Sequence, residues 1–216
     1  MISSQVSFLL RYGLYQFGET VFKNGRISPY TVRLQQYPPN ELFQFLAQLA
    51  WNLEQLASLQ AIHCFGIANS GIRLATAIYE HGLRLGKHAE LSILYPLATE
   101  QHLSPADGNQ EATATALIDN AVTTGETLAK VLGGVRQFGY RPEVTIRIFD
   151  REDVGEDGQS TVERIKTRFD LDLISIFKLR DIVLGLDPME RQAILAYQSE
   201  HGTTSFKDWI GGQSVI

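Results

Sequence analysis

Ala116-Leu-Ile-Asp-Asn-Ala-Val-Thr-Thr-Gly-Glu-Thr-Leu128 runs from a short apolar segment, past an acid and an amide, into a Thr-Thr-Gly turn with helical rhythm beyond it. Such a strand delivers Asp119 to its edge, and the turn opens a helix whose first amides are unpaired and whose dipole is positive, a ready cradle for an anion. The same residues would also make an ordinary capped strand-to-helix turn with no ligand. Outward from this stretch the rhythm repeats. Residues 61–67, 91–95, 114–118, 144–149 and 173–177 are short apolar runs, while 71–85 and 124–138 have helical periodicity. Apolar strands alternating with helices predict an α/β fold: a mainly parallel sheet of about five strands covered by helices. In such sheets ligands sit at the C-terminal strand edges, here the turns at 68–71, 120–127 and 150–155. Residues 98–113, polar and marked by Pro105 and Gly108, read as a surface loop or hairpin.

The first 60 residues read differently. Val21, Phe22, Ile27, Tyr30 and Val32 alternate imperfectly around Asn24-Gly25, a turn dipeptide, which predicts two short strands. After Pro38-Pro39-Asn40, the spacing of Leu42, Phe43, Phe45, Leu46, Leu49, Leu53 and Leu56 predicts one long helix with a buried face. The expected organisation is a single domain over 1–216, with 1–60 as an N-terminal helix and hairpin and 61–216 as the α/β core.

Composition narrows the function. The 216 residues are 44% hydrophobic and 20% charged, which excludes wholesale disorder. The net charge of −5 argues against general nucleic-acid binding, and the absence of a long apolar run argues against a membrane span. The lone Cys64 suits a reducing, cytoplasmic setting and no multi-cysteine metal site. The charge is uneven. From His88 to Ala129 there is no Lys or Arg in 42 residues, while Glu90, Glu100, Asp107, Glu111, Asp119 and Glu126 contribute −6. An anion bound within this stretch must be held by backbone dipoles or by cations from elsewhere in the chain.

The 116–128 stretch resembles the phosphoribosyl-pyrophosphate (PRPP) signature of type I phosphoribosyltransferases, where two acids precede a Thr/Gly phosphate loop. Further segments resemble orotate phosphoribosyltransferase specifically. Phe17-Gly-Glu-Thr-Val-Phe-Lys-Asn-Gly-Arg-Ile-Ser-Pro-Tyr30 is similar to that family's N-terminal hood. Phe149-Asp-Arg-Glu-Asp153 is similar to its Asp-Arg-x-Glu strand end, with Asp153 in the place of the glutamate. Residues 172–182 and 197–202 resemble its C-terminal strand and helix. The resemblance implies PRPP or phosphate binding by Thr123, Thr124, Gly125, Glu126 and Thr127. It implies ribose and catalytic roles for Asp119, Asn120 and His102, and base binding by Lys23, Arg26 and Arg151. It also implies Mg²⁺ carried with PRPP if the protein is active, and a homodimer whose interface includes the region of Arg73.

Several positions depart from that pattern. The second acid is Asn120, an amide that lacks the charge. Glu126 puts a carboxylate in the phosphate turn, where it opposes a phosphate, points to solvent or caps a free amide of the first turn. Where the family's mobile loop carries three cations, this chain has Pro96, Leu97 and Glu100, and only His102 remains. Removing one charge-stabilising group commonly costs about 100- to 1000-fold in rate. Ser70 stands where the family has a lysine, and Thr31 and Val32 where it has aromatics. The expected function is therefore an orotate phosphoribosyltransferase-like protein of the pyrimidine nucleotide lineage, catalytically impaired and retaining at most PRPP, nucleotide or phosphate binding. The alternatives are an active phosphoribosyltransferase on orotate or another base, and an interaction protein with no small ligand. His63 and Cys64 adjoin on one strand, so they point to opposite faces and read as core. His81, His88 and His201 are isolated and have no metal-ligand spacing. Asp150, Glu152, Asp153, Glu156 and Asp157 read as a solvated acidic loop.

Overall fold

The computed structural model describes residues 4–22, 25–34, 39–94, 114–120, 122 and 125–213. Its elements are α1 (Ser4–Arg11), β1 (Tyr15–Val21), β2 (Ile27–Val32), α2 (Asn40–Trp51), α3 (Glu54–Ala57), β3 (Ala61–Ile67), α4 (Ala68–Arg84) and β4 (His88–Leu94). Then follow β5 (Ala114–Ile118), α5 (Glu126–Gln137), β6 (Val144–Asp150), α6 (Thr161–Phe169), β7 (Asp172–Lys178), α7 (Leu179–Val183), α8 (Pro188–His201) and α9 (Thr204–Gly212). They form two compact units, each discontinuous in sequence. One holds residues 1–38, 149–161 and 177–216; the other holds 39–148 and 162–176.

The second unit is built on a five-stranded parallel sheet in the order β4-β3-β5-β6-β7. β3 pairs in parallel with β4 on one side and β5 on the other, and β5 pairs with β6. β3 and β5 are buried at nearly every position, as expected for strands covered on both faces. One face buries Phe65, Ile67, Leu94 and Leu117 against Leu128, Val131, Leu132 and Val135 of α5 and Ile165 of α6. α4 packs against β3 and β4, and α2 packs on α4. The helix expected across 42–56 is two helices, α2 and α3, broken at Asn52-Leu53. α2 buries Leu42, Phe43, Leu46, Ala47, Ala50 and Trp51, and the Trp51 Nε1–H donates to the Ile78 carbonyl at 2.9 Å.

The first unit contains the antiparallel β1–β2 hairpin, with a register shift between Phe17 and Thr20. It also contains α1, α7, α8 and α9, and the segment that leaves β6. That segment is tied to the C-terminal helices through backbone. Val154 N–H donates to the His201 carbonyl, Thr203 N–H donates to the Glu152 carbonyl, and Asp153 bridges Gly202. No helix among the described residues is long and apolar enough to cross a membrane.

Candidate functional site

In the sheet unit, successive strands reverse their order between β3 and β5: β4 lies on one side of β3 and β5 on the other. The C-terminal edge at such a switch point forms a crevice. Both strands end there. After β3 the chain turns at Ala68, whose φ of 47° is left-handed, directly into α4. Gly71 makes that close packing possible, since a Cβ there would meet the Ile118 carbonyl oxygen at 2.5 Å and the Asp119 Cα at 3.1 Å. The α4 start therefore lies against the end of β5.

At that end the ladder continues past the strand: Asp119 N–H donates to the Ile146 carbonyl, and Ile148 N–H to the Asn120 carbonyl. Both Asp119 and Asn120 are half-buried, and Asp119 Oδ1 accepts the Asn120 N–H at 2.7 Å. α5 opens at Gly125, which takes φ 77° and ψ 11°. Its lack of a side chain is required twice over, because a Cβ would meet Ile165 Cδ1 at 2.7 Å and Phe169 Cε2 at 2.9 Å. Gly125 at the N-cap has no side chain to cap this helix, and Glu126 and Thr127 are exposed. The arrangement can offer backbone amides to an anion at the helix start, with one carboxylate, Asp119, at the neighbouring strand end. Lys23, His102, Thr123 and Thr124 lie outside the described residues, as does the loop expected at 98–113.

A charged side chain that the sequence reading passed over lies in the same unit. Arg147 is in the middle of β6 and only 3% exposed. Its Nε donates to Ser175 Oγ at 2.8 Å and its Nη1 to the Val122 carbonyl at 3.0 Å. A central parallel strand is normally a continuous apolar run. An arginine within Val144-Thr-Ile-Arg-Ile-Phe149 was the signal that could have found it.

The first unit gathers Arg26 and Arg151. Arg151 donates from Nε to Asp153 Oδ2 (3.1 Å), from Nη2 to Ser28 Oγ (2.8 Å) and from Nη1 to the Tyr30 carbonyl (3.3 Å). Its guanidinium lies 4.2 Å from the Tyr30 ring centroid and 4.5 Å from that of Phe22. Arg26 Nη2 donates to the same Asp153 oxygen at 3.1 Å, and its Nη1 to the Val154 carbonyl at 2.7 Å. Tyr197 donates its hydroxyl to that oxygen at 3.2 Å, and Gln198 Nε2 donates to the Arg151 carbonyl. Burial works against the Arg151 charge, but Tyr30 and Asp153 beside it favour the charge, and its pKa rises above the usual arginine value. Burial and Asp153 likewise raise Tyr197, and burial raises Tyr30.

Of the solvated acidic loop expected at 150–157, Glu156 and Asp157 are exposed as expected, but Glu152 and Asp153 are not. Asp153 is shared by two guanidinium groups and only 13% exposed. Glu152 is 4% exposed, adopts a left-handed φ of 56°, and accepts both the Arg180 side chain and the Arg180 N–H. These acids are the anchors of the segment, with partners tens of residues away.

Other features lie apart from these two clusters. His63 is buried, 2.9 Å from Ser92 Oγ through Nε2 and 3.2 Å from Glu90 through Nδ1. Cys64 is buried on the opposite face, and burial pushes its thiol up to about 12. A wide groove lined by Arg136, Arg141, Lys166, Asp170 and Asp172 lies at the other, N-terminal edge of the strands, where Lys166 bridges both aspartates. Arg73 on α4 donates to Asn40 Oδ1 at 2.8 Å and lies 4.4 Å from the Phe43 ring centroid. Among the described residues no group of three or more His, Cys, Asp or Glu could hold a metal ion.

No family model matches the chain. Its sequence is 26% identical over 183 residues to the orotate phosphoribosyltransferase of Ruthia magnifica, covering 82% of this chain and 85% of that protein. It is 23% identical to the Ralstonia nicotianae orotate phosphoribosyltransferase, covering 99% and 96%. The crystal structure of the Francisella tularensis orotate phosphoribosyltransferase superposes with a TM-score of 0.74 at 21% identity, covering 93% of this chain and all of that one. With the type I phosphoribosyltransferase fold and sequence similarity along most of its length, the chain is a divergent relative of the orotate phosphoribosyltransferases.

Proposed function

We propose that this chain is an orotate phosphoribosyltransferase-like protein of the pyrimidine nucleotide lineage that retains PRPP, nucleotide or phosphate binding and has lost most of its transfer activity. The observation that carries the proposal is the cation-free stretch from His88 to Ala129. It includes Pro96, Leu97 and Glu100, where the resemblance places three cations for the departing pyrophosphate, and Asn120, where it places a second acid. Transfer from PRPP to a base nitrogen develops negative charge on the leaving pyrophosphate, and fixed cations are the main means of stabilising it. The retained part is backbone: the Gly125 turn binds anions through amides whatever the side chains do. Asp119 is the one carboxylate of the former pair, suited to a ribose hydroxyl. Any Mg²⁺ would arrive on the pyrophosphate of PRPP, since the described residues offer no cluster of their own.

The test is orotate-dependent pyrophosphate release from PRPP, paired with calorimetric titration of PRPP with and without Mg²⁺. Binding without turnover supports the proposal. Turnover in the ordinary enzyme range of about 1–1000 per second favours the second reading, an active transferase on orotate or another base. The Arg26 and Arg151 cluster supports that second reading, because it preserves the base-directed cations of the hood resemblance. A homodimer is part of the proposal, with the α4 region of Arg73 at its interface, and sedimentation as a monomer at micromolar concentration would remove it.

A further inference from the structure

We infer that Asp153 is the resident ligand of a carboxylate receptor built by Arg26, Arg151 and Tyr197, so that an acceptor base held in this unit is a ring without a carboxylate. The substrate class rests on the transferase reading above; the receptor itself rests on geometry. Three donors converge on one oxygen, Asp153 Oδ2: Arg151 Nε at 3.1 Å, Arg26 Nη2 at 3.1 Å and the Tyr197 hydroxyl at 3.2 Å. Convergent guanidinium and hydroxyl donors are the usual means of recognising a carboxylate. Here the carboxylate is the chain's own, only 13% exposed, two residues from Arg151 itself.

A second carboxylate finds these donors committed. Every nitrogen of Arg151 already donates to a chain oxygen: Nε to Asp153, Nη2 to Ser28 Oγ and Nη1 to the Tyr30 carbonyl. Ser28 and Tyr30 are themselves fully buried. Arg26 Nη1 is bound to the Val154 carbonyl at 2.7 Å. A ligand carboxylate entering beside Asp153 meets a like charge, so it binds only by displacing that side chain. The backbone opposes displacement. Glu152, at φ 56°, is anchored by Arg180; Asp153 bridges Gly202, and Val154 N–H donates to the His201 carbonyl. A group tethered in this way competes at an effective concentration of about millimolar or more. An uncharged ring makes no demand on the arginines and does not enter the competition.

The experiment is calorimetric titration of the full chain with formate, with acetamide as its uncharged control, and with orotate and uracil, the latter being orotate without its carboxylate. It compares the unaltered protein with Asp153→Ala, Asp153→Asn and Glu156→Gln. The unaltered protein should not prefer orotate to uracil. Asp153→Ala should bind formate at least about tenfold more tightly than the unaltered protein does, with no gain for acetamide. Glu156→Gln removes an exposed acid three residues away and should gain nothing, which separates an emptied receptor from a general change of charge. If Asp153→Ala is too unstable to titrate, Asp153→Asn decides, since it keeps the shape and an acceptor oxygen. Formate should then raise its melting temperature more than that of the unaltered protein at equal ionic strength, and equal shifts overturn the inference. Indifference of Asp153→Ala to formate overturns it, as does an equal gain in Glu156→Gln. A preference of the unaltered protein for orotate over uracil of about tenfold or more overturns it too. Formate capture by Asp153→Ala, with neither ring bound by any form, upholds the receptor and removes the transferase reading instead.

Discussion

The two units handle charge in opposite ways. In the arginine cluster, two guanidinium groups, one aspartate, Ser28 and Tyr197 satisfy one another, and Phe22 and Tyr30 cover the faces of Arg151. At the Asp119 strand end the described resources are backbone: the first turn of α5, a left-handed glycine at its N-cap and carbonyls held in an extended ladder. Side-chain networks are lost by single substitutions. A backbone cradle survives them, provided the packing that shapes it persists. The phosphate-side residues that differ from the family pattern, Asn120, Glu126 and the 96–102 segment, are side chains, and the element that persists is the Gly125 turn.

The sharpest way to break that comparison is to attack the backbone element itself. Gly125→Ala forces a non-glycine residue to φ 77° and drives a methyl group into Ile165 and Phe169. The left-handed cost is about 1–2 kcal/mol and overpacking adds about 1–3 kcal/mol. Urea unfolding should show a loss of about 3 kcal/mol, and phosphate binding should vanish with it. A loss below about 1 kcal/mol would mean that the turn is not fixed by packing.

In the other unit, Asp153→Ala leaves two guanidinium groups facing each other without their shared carboxylate. Breaking a largely buried pair is costly, about 2 kcal/mol after allowance for the partial exposure of all three side chains. The freed charge should then recruit a small anion, so formate or acetate should restore much of the lost melting temperature. Indifference of the variant to added carboxylate would show that Asp153 does not balance the arginines.

How far the sequence reveals this depends on the range of the interaction. The strands were legible because interior parallel strands are short apolar runs, and β3, β5, β6 and β7 fall where those runs lie. The hairpin was legible from Asn24-Gly25, a local turn signal. Asp119 and Gly125 were placed at a strand end and a helix start by the same local logic. In the acidic run, Glu156 and Asp157 are exposed as expected, but Glu152 and Asp153 are not, because a carboxylate's environment is set by partners distant in sequence: Arg26 for Asp153, Arg180 for Glu152. Composition near Asp153 predicts solvent, whereas topology brings it beside two arginines. Arg147 was overlooked for the opposite reason, a local anomaly inside a run read for its average.

A smaller test addresses Glu126. It is exposed in the first turn of α5, so it opposes an incoming phosphate only through solvent while helping the helix dipole slightly. Glu126→Thr should tighten phosphate binding by about two- to threefold, close to the value of an exposed charge contact. Asn120→Asp should leave inorganic phosphate unaffected and improve only Mg²⁺-dependent PRPP binding. Weaker phosphate binding by Glu126→Thr would show that the carboxylate serves the helix start rather than opposing the ligand.

The smallest effect is a pH dependence confined to the sheet unit. Burial lowers the pKa of His63, with Glu90 acting against it, and burial and Arg84 lower that of His81; both lie in that unit. A histidine whose folded pKa is depressed takes up a proton more readily when unfolded. Its contribution is therefore present above the unfolded value of 6.5 and lost as pH falls below it. The urea midpoint should drop between about pH 7 and about pH 5, and amide exchange should quicken in β3 and β4 before it does in the β1–β2 hairpin. His63→Gln keeps a polar group near Ser92 without a titrating ring, so it should flatten much of that drop, and His81→Gln, at a more exposed site, should flatten less. Equal acid sensitivity in His63→Gln and the unaltered chain would assign the drop to the carboxylates instead. Faster exchange in the hairpin than in β3 would place the weaker unit around the arginines rather than around the sheet.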